Sequence, residues 1–177
     1  MILTKNQVTQ QLLHEYLDYD PNTGHLTWRK KLCSKVVVGR RAGTKVKNRD
    51  NRIIKIFGQV FIEHRLIWFY VHGYYPKPNE HIDHINHDEQ DNRIANLRLV
   101  TQRENNKNQS KRFNNTTGVT GVWFSTRNGA KKYMAEIYTG NGRLRKPFYT
   151  LEEAKNQRKL WEVQYGYHPN HGIDKPI

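Results

Sequence analysis

Between Glu80 and Lys111 the chain reads as strand, long polar loop, strand and capped helix, and no other stretch narrows the fold as tightly. Glu80 to Ile85 suits a short strand, Asn86 to Asn96 a polar loop, and Leu97 to Val100 a second strand. Thr101-Gln102-Arg103-Glu104 is spaced as a capping box, which predicts a helix from about Gln102 to about Lys111 with Asn105 one turn inside. This unit carries a carboxylate and an imidazole side by side, Asp83-His84, and two amides, Asn96 and Asn105.

Around it the chain predicts small sheets with helices packed on them, an α+β class. Thr4 to Leu17 places Val8, Leu12, Leu13, Tyr16 and Leu17 near one helical face. Asp20-Pro21-Asn22-Thr23-Gly24 is a turn, followed by strands at His25–Trp28 and Arg52–Ile56 with a basic loop, Val38 to Gly43, between them. His64 to Val71 suits a helix that stops before Gly73 and Pro76. Beyond a polar run at 107–117 come three strands, Val119–Ser125, Lys132–Tyr138 and Leu144–Tyr149, with Asn128-Gly129 and Asn141-Gly142 as hairpin signals. A second capping box, Thr150 to Glu153, opens a helix to about Tyr165. Leu151, Ala154, Arg158, Trp161 and Tyr165 form its face, which Leu160 and Val163 widen. The expected domains are a basic region 1–60, a central module 61–112 and a C-terminal domain 113–177.

Charge names the partner class. The 177 residues carry a net +14, distributed as +8 over residues 1–60, +1 over 61–112 and +5 over 113–177. The near-neutral middle holds five of the nine histidines. Basic flanks around a centre bearing His and acid suit a polyanion gripped on both sides of a chemical site. A soluble protein that is merely basic is the bland alternative. With Cys33 alone, a disulfide framework and a cysteine zinc cage are excluded. The longest apolar stretch, Leu66 to Val71, is too short to cross a bilayer, and Met1 to Lys5 is not followed by an apolar run. The expectation is therefore a cytoplasmic protein without a membrane partner or small-molecule cofactor.

Cutting a phosphodiester needs an activated water, a stabiliser for charge on the phosphate, and help for the departing oxygen. An imidazole near neutral pKa serves the first need, and one divalent ion serves the other two. Magnesium uses few protein ligands, all oxygen, so Asp83 and an Asn side-chain oxygen would suffice. Zinc bound by His81, His84 and His87 is disfavoured, because strand alternation sends His81 and Asp83 to one face and His84 to the other. The same alternation requires the strand to end or twist near His84 if Asp83 and His84 are to serve one phosphate.

His81-Ile82-Asp83-His84-Ile85-Asn86-His87-Asp88, Asp91 to Arg98 and Arg103-Glu104-Asn105-Asn106 together resemble an HNH endonuclease of the phage or homing type with a ββα-metal site. Glu63-His64-Arg65-Leu66 and the stretch from Tyr16 to Trp28 resemble what often precedes such sites. The resemblance implies His84 as general base and Asp83 and Asn105 as ligands of Mg2+, with Mn2+ as an alternative. It implies Asn96 as the residue that ties the loop and fixes His84. Asn105 stands where many relatives have His, and His87 where many have a small turn residue. His64 and Arg65 either face the phosphate or serve in packing.

Thr117 to Val122, Tyr133 to Ile137 and Phe148 to Ala154 resemble an AP2-type DNA-binding domain, which implies a three-stranded sheet laid in the major groove. Val122 and Phe124 would face its helix and Trp123 would face outward. Arg65, Trp123, Arg127, Lys132, Arg143, Arg145 and Lys146 are the candidate DNA contacts. The expectation is a metal-dependent endonuclease on double-stranded DNA, a monomer that nicks unless two chains meet on the duplex. A non-catalytic DNA-binding regulator with the same fold and a structured-RNA protein are the alternatives.

Overall fold

A computed structural model describes residues 2–47, 51–126 and 132–174. Arg127 and the Asn128-Gly129 signal lie outside the described residues. The chain is α+β and forms two compact units, Met1–Gln102 and Arg103–Ile177.

In the first unit the single helix expected over Thr4–Leu17 is divided. Thr9 stays extended (φ −89°, ψ 159°) and its side chain accepts from Leu12 N, so α1 (Gln10–Tyr16) starts there, after a short 3-10 turn at Lys5–Gln7. The helix stops at Leu17, which opens β1 (Leu17–Asp20); β1 pairs antiparallel with β2 (His25–Trp28). Asp20 closes the turn between them, accepting from Asn22 N and the Thr23 hydroxyl. A three-stranded sheet follows, in the order β3 (Thr44–Lys45), β4 (Arg52–Ile56), β5 (Gln59–Ile62). The β4–β5 turn is Phe57-Gly58, both at positive φ (52° and 79°), a left-handed pair without the Asn-Gly signal that favours such a turn.

Helix α2 (Glu63–His72) leaves β5 without a loop and ends on Gly73 at φ 75°. Then β6 (Glu80–His84) pairs antiparallel with β7 (Leu97–Thr101), His84 opposite Leu97 and Asp83 opposite Arg98. One core joins Leu13, Leu17, Leu26, Ile54, Phe57, Leu66, Ile67 and Leu97. Each such buried side chain contributes about 1.5–3 kcal/mol. The boundary expected at residue 60 from the charge count therefore runs through the middle of a shared core.

Helix α3 (Gln102–Asn106) starts on the last residue of the first unit, continues in the second and is shorter than the sequence predicts. Lys107 N and Asn108 N bond back to the carbonyls of Glu104 and Asn105, three residues earlier, which tightens and ends the helix in an Asn-rich run. Further on, β8 (Val122–Ser125), β9 (Lys132–Tyr138) and β10 (Arg143–Phe148) form an antiparallel sheet with β9 in the centre. Helix α4 (Leu151–Gln164), capped by the Thr150/Glu153 box, packs its Ala154 and Trp161 into a core with Val122, Ala135 and Ile137. Leu160 and Val163 do not widen that face; they are 65% and 84% exposed. Arg158 is buried as expected and Glu162 is buried beside it: Arg158 binds Glu162, the Glu136 carbonyl and His171. Phe124 shares the inner side with Val122 but remains 48% exposed, against Tyr133.

Candidate active site

Alternation along β6 turns Asp83 and His84 to opposite sides of the strand, and His84 is its last residue. On one side Arg98, the cross-strand partner, brings Nε (3.0 Å) and Nη2 (2.8 Å) to Asp83 Oδ2.

On the other side His84, 7% exposed, enters a buried polar chain that periodicity could not reveal. His84 Nε2 lies 3.0 Å from Asn92 Oδ1, Asn92 Nδ2 donates to Glu63 Oε2 at 3.0 Å, and Arg41 Nη2 donates to the same oxygen at 3.1 Å. The roles follow in order. The Glu63 carboxylate only accepts, so Asn92 turns its amino group to it and its carbonyl oxygen to His84. The acceptor at Asn92 in turn requires the proton of the neutral imidazole to sit on Nε2. Nδ1 is then the basic nitrogen.

His64, on the first turn of α2, sets its ring edge-to-face against that of His84, centroids 5.1 Å apart. Burial, reinforced by His84 and Arg65, pushes the His64 pKa down to about 3, so a neutral ring packs against the candidate base.

The loop between β6 and β7 is held by its own side chains. Asn86, Asp88 and Asp91 each accept from the backbone amide two residues on. Asn96 bonds Asn86 twice, through the Asn86 amide and its side-chain oxygen, and donates to the Asp91 carbonyl. Its side chain thus ties the loop, while the imidazole of His84 is bonded by Asn92. His87 sits at φ 67°, a left-handed position that costs a side-chain-bearing residue about 1 kcal/mol. The Arg93 guanidinium bonded to Asp91 holds that carboxyl below its ordinary range. Two elements from the start of the chain pin the Asn92 segment. The Tyr19 hydroxyl donates to the Asn92 carbonyl and accepts from Ile94 N, and Gly24, at φ 71°, leaves a Cβ no room against Asn92 and Arg93 backbone atoms (2.4–2.5 Å).

Asn105 lies on α3, in the second unit. Arg65 is exposed on α2, and His81 is exposed on β6. On the C-terminal sheet, register puts Trp123, Lys132, Arg143 and Arg145 on the side away from α4. There Arg145 stacks over Trp123 at 5.3 Å and bonds Glu136, which Arg143 also approaches. Lys146 alternates to the other side, over Phe148. Among the described residues no three His, Cys, Asp or Glu side chains are grouped to hold a metal ion, and no helix is long and apolar enough to cross a membrane.

Glu63, Asn92, Arg41 and Tyr19 are the site residues whose roles the sequence did not show. The Asp-Asn-Arg run around Asn92 belongs to the stretch that carries the resemblance, but the role of Asn92 follows only from its contacts with Glu63, His84 and Tyr19. Comparison with curated proteins and with solved structures gives no match. Residues 63–107, which span Glu63, His64, Asp83, His84, Asn92, Asn96 and Asn105, are similar to the family described as HNH endonuclease, a class of nucleases.

Proposed function

We propose that this chain is a metal-dependent HNH endonuclease that hydrolyses phosphodiester bonds in double-stranded DNA, of the phage or homing type with a ββα-metal site. The observation that carries the reading is the Glu63–Asn92–His84 chain, which holds His84 as the Nε2–H tautomer with Nδ1 basic, inside the segment similar to HNH endonucleases.

In this reading His84 Nδ1 takes a proton from water as the water oxygen bonds to phosphorus and the bond to the departing oxygen breaks; that oxygen takes a proton from solvent. The new imidazolium keeps its Nε2–H on Asn92, and Glu63 lies one residue further along the chain of bonds. His64, kept neutral, adds no positive charge against it. The donor chemistry of Asp83 fits Mg2+ or Mn2+, and Asp83 with Asn105 would hold the ion, Asn105 resting on the family pattern. When bound, the ion supplies Lewis-acid stabilisation of the charge developing on the phosphate. Arg98 fixes the Asp83 carboxylate from the neighbouring strand. The AP2-like C-terminal sheet supplies the grip, with Trp123, Arg143 and Arg145 as its outward contacts.

Plasmid cleavage with Mg2+ tests this reading. His84→Ala should abolish cutting while gel-shift binding survives. Undiminished cutting by that variant rejects the mechanism, and binding without cutting by the wild-type chain would identify a DNA-binding regulator.

A further inference from the structure

A cavity of about 630 Å3 opens beside α2, lined by Lys5, Val8, Phe61, Arg65, Phe69 and Tyr75 among others, with no acidic residue among the described residues of its wall. Its volume lies in the range of small-molecule sites, about 300–1,000 Å3. Phe61 and Phe69 are buried, the Tyr75 ring stacks on Phe69 (4.3 Å between centroids, 7° between planes), and Lys5 Nζ lies over Phe61 at 5.8 Å. The wall thus combines aromatic surface with two exposed cations, Lys5 and Arg65.

We infer that this cavity receives one unpaired nucleotide of the DNA substrate, its base against the aromatic wall and its phosphate between Lys5 and Arg65. A base offers a flat π face and its phosphate a negative charge, the two features the wall complements; base–aromatic stacking also tolerates any sequence. Arg65 directly follows His64, whose ring packs on His84, so α2 links the cavity to the candidate active site. The inference rests on the reading of the chain as a DNA nuclease and extends it to substrates with a displaced or bulged nucleotide.

The test uses the full chain in EDTA, which separates binding from cutting. A duplex with a single bulged 2-aminopurine is titrated beside the fully paired duplex of equal length. The expected result is at least fivefold tighter binding of the bulged duplex, with quenched 2-aminopurine fluorescence. Free dAMP should compete at millimolar concentration and inorganic phosphate at the same ionic strength should not. Lys5→Gln with Arg65→Gln should reduce the preference to below twofold, and an unchanged thermal midpoint would confirm that the variant is folded. Equal affinity for the two duplexes, competition by phosphate equal to that by dAMP, or an undiminished preference in the variant each overturns the inference. If His84-dependent plasmid cleavage persists in any of those cases, the nucleotide pocket has failed and the nuclease reading has not.

Discussion

Asn92 Oδ1 faces His84 Nε2 at 3.0 Å because Glu63 claims the other end of the same amide. One buried side chain therefore sets the tautomer of the candidate base from a distance of two bonds. Asn92→Leu keeps the volume and removes both functions. We expect single-turnover cleavage to fall by about 100-fold, within the range a positioned base contributes, with DNA affinity within twofold of the wild type. The pH–rate profile should change shape, since the ring loses the acceptor that fixes its proton. Cleavage reduced in parallel with binding, at an unchanged profile, would instead indicate a purely structural asparagine.

The strand, loop and strand around Asp83 and His84 were legible in the sequence because their signals are local: alternation in β6 and β7 and a dense polar loop between them. The hairpin turn at Phe57-Gly58 and the role of Asn92 were not. Phe57 holds a left-handed conformation while fully buried, so tertiary packing overrides its preference. Asn92 lies 29 residues from Glu63 and 73 from Tyr19, and no period links positions that far apart. The C-terminal helix gave the opposite lesson. Its cap, Arg158 and Trp161 were readable, but Glu162 is buried in a pair with Arg158 while Leu160 and Val163 stay exposed.

Gly24 tests how the start of the chain supports the site. At φ 71°, with a Cβ due 2.4 Å from Arg93 N and 2.5 Å from the Asn92 carbonyl carbon, alanine has no conformation that avoids backbone. Gly24→Ala should cost about 3 kcal/mol or more of stability, read as a lowered urea midpoint. Cleavage should fall even at temperatures where the variant remains folded, because the segment carrying Asn92 must move. Wild-type stability in this variant would mean that the close approach of Gly24 does not hold the Asn92–Arg93 backbone in place.

Acidification should weaken the first unit through His64. Its folded pKa, about 3, lies below the unfolded value near 6.5, so between those limits the unfolded chain binds the extra proton. Stability is fully present above pH 6.5 and declines as pH falls toward 3. His64→Phe keeps a ring against His84 and removes the titration. The loss of thermal midpoint between pH 7 and pH 4.5 should shrink by at least half in this variant. An identical loss in both proteins would assign the acid sensitivity to other groups.

Arg145 is held between the Trp123 ring and the Glu136 carboxylate on the outward side of the C-terminal sheet, so binding a phosphate there must compete with an ion pair already formed. Two opposite substitutions separate these contributions. Arg145→Gln should weaken duplex binding across all sequences and lower the slope of log affinity against log salt by about 1, the signature of one lost phosphate contact. Glu136→Gln should strengthen binding by a few fold, because it frees Arg145 and Arg143 from their shared acid without removing either cation. Fluorescence anisotropy at several salt concentrations reads both effects. If the two variants shift affinity in the same direction, the pair serves the fold of the sheet and not its contact with DNA.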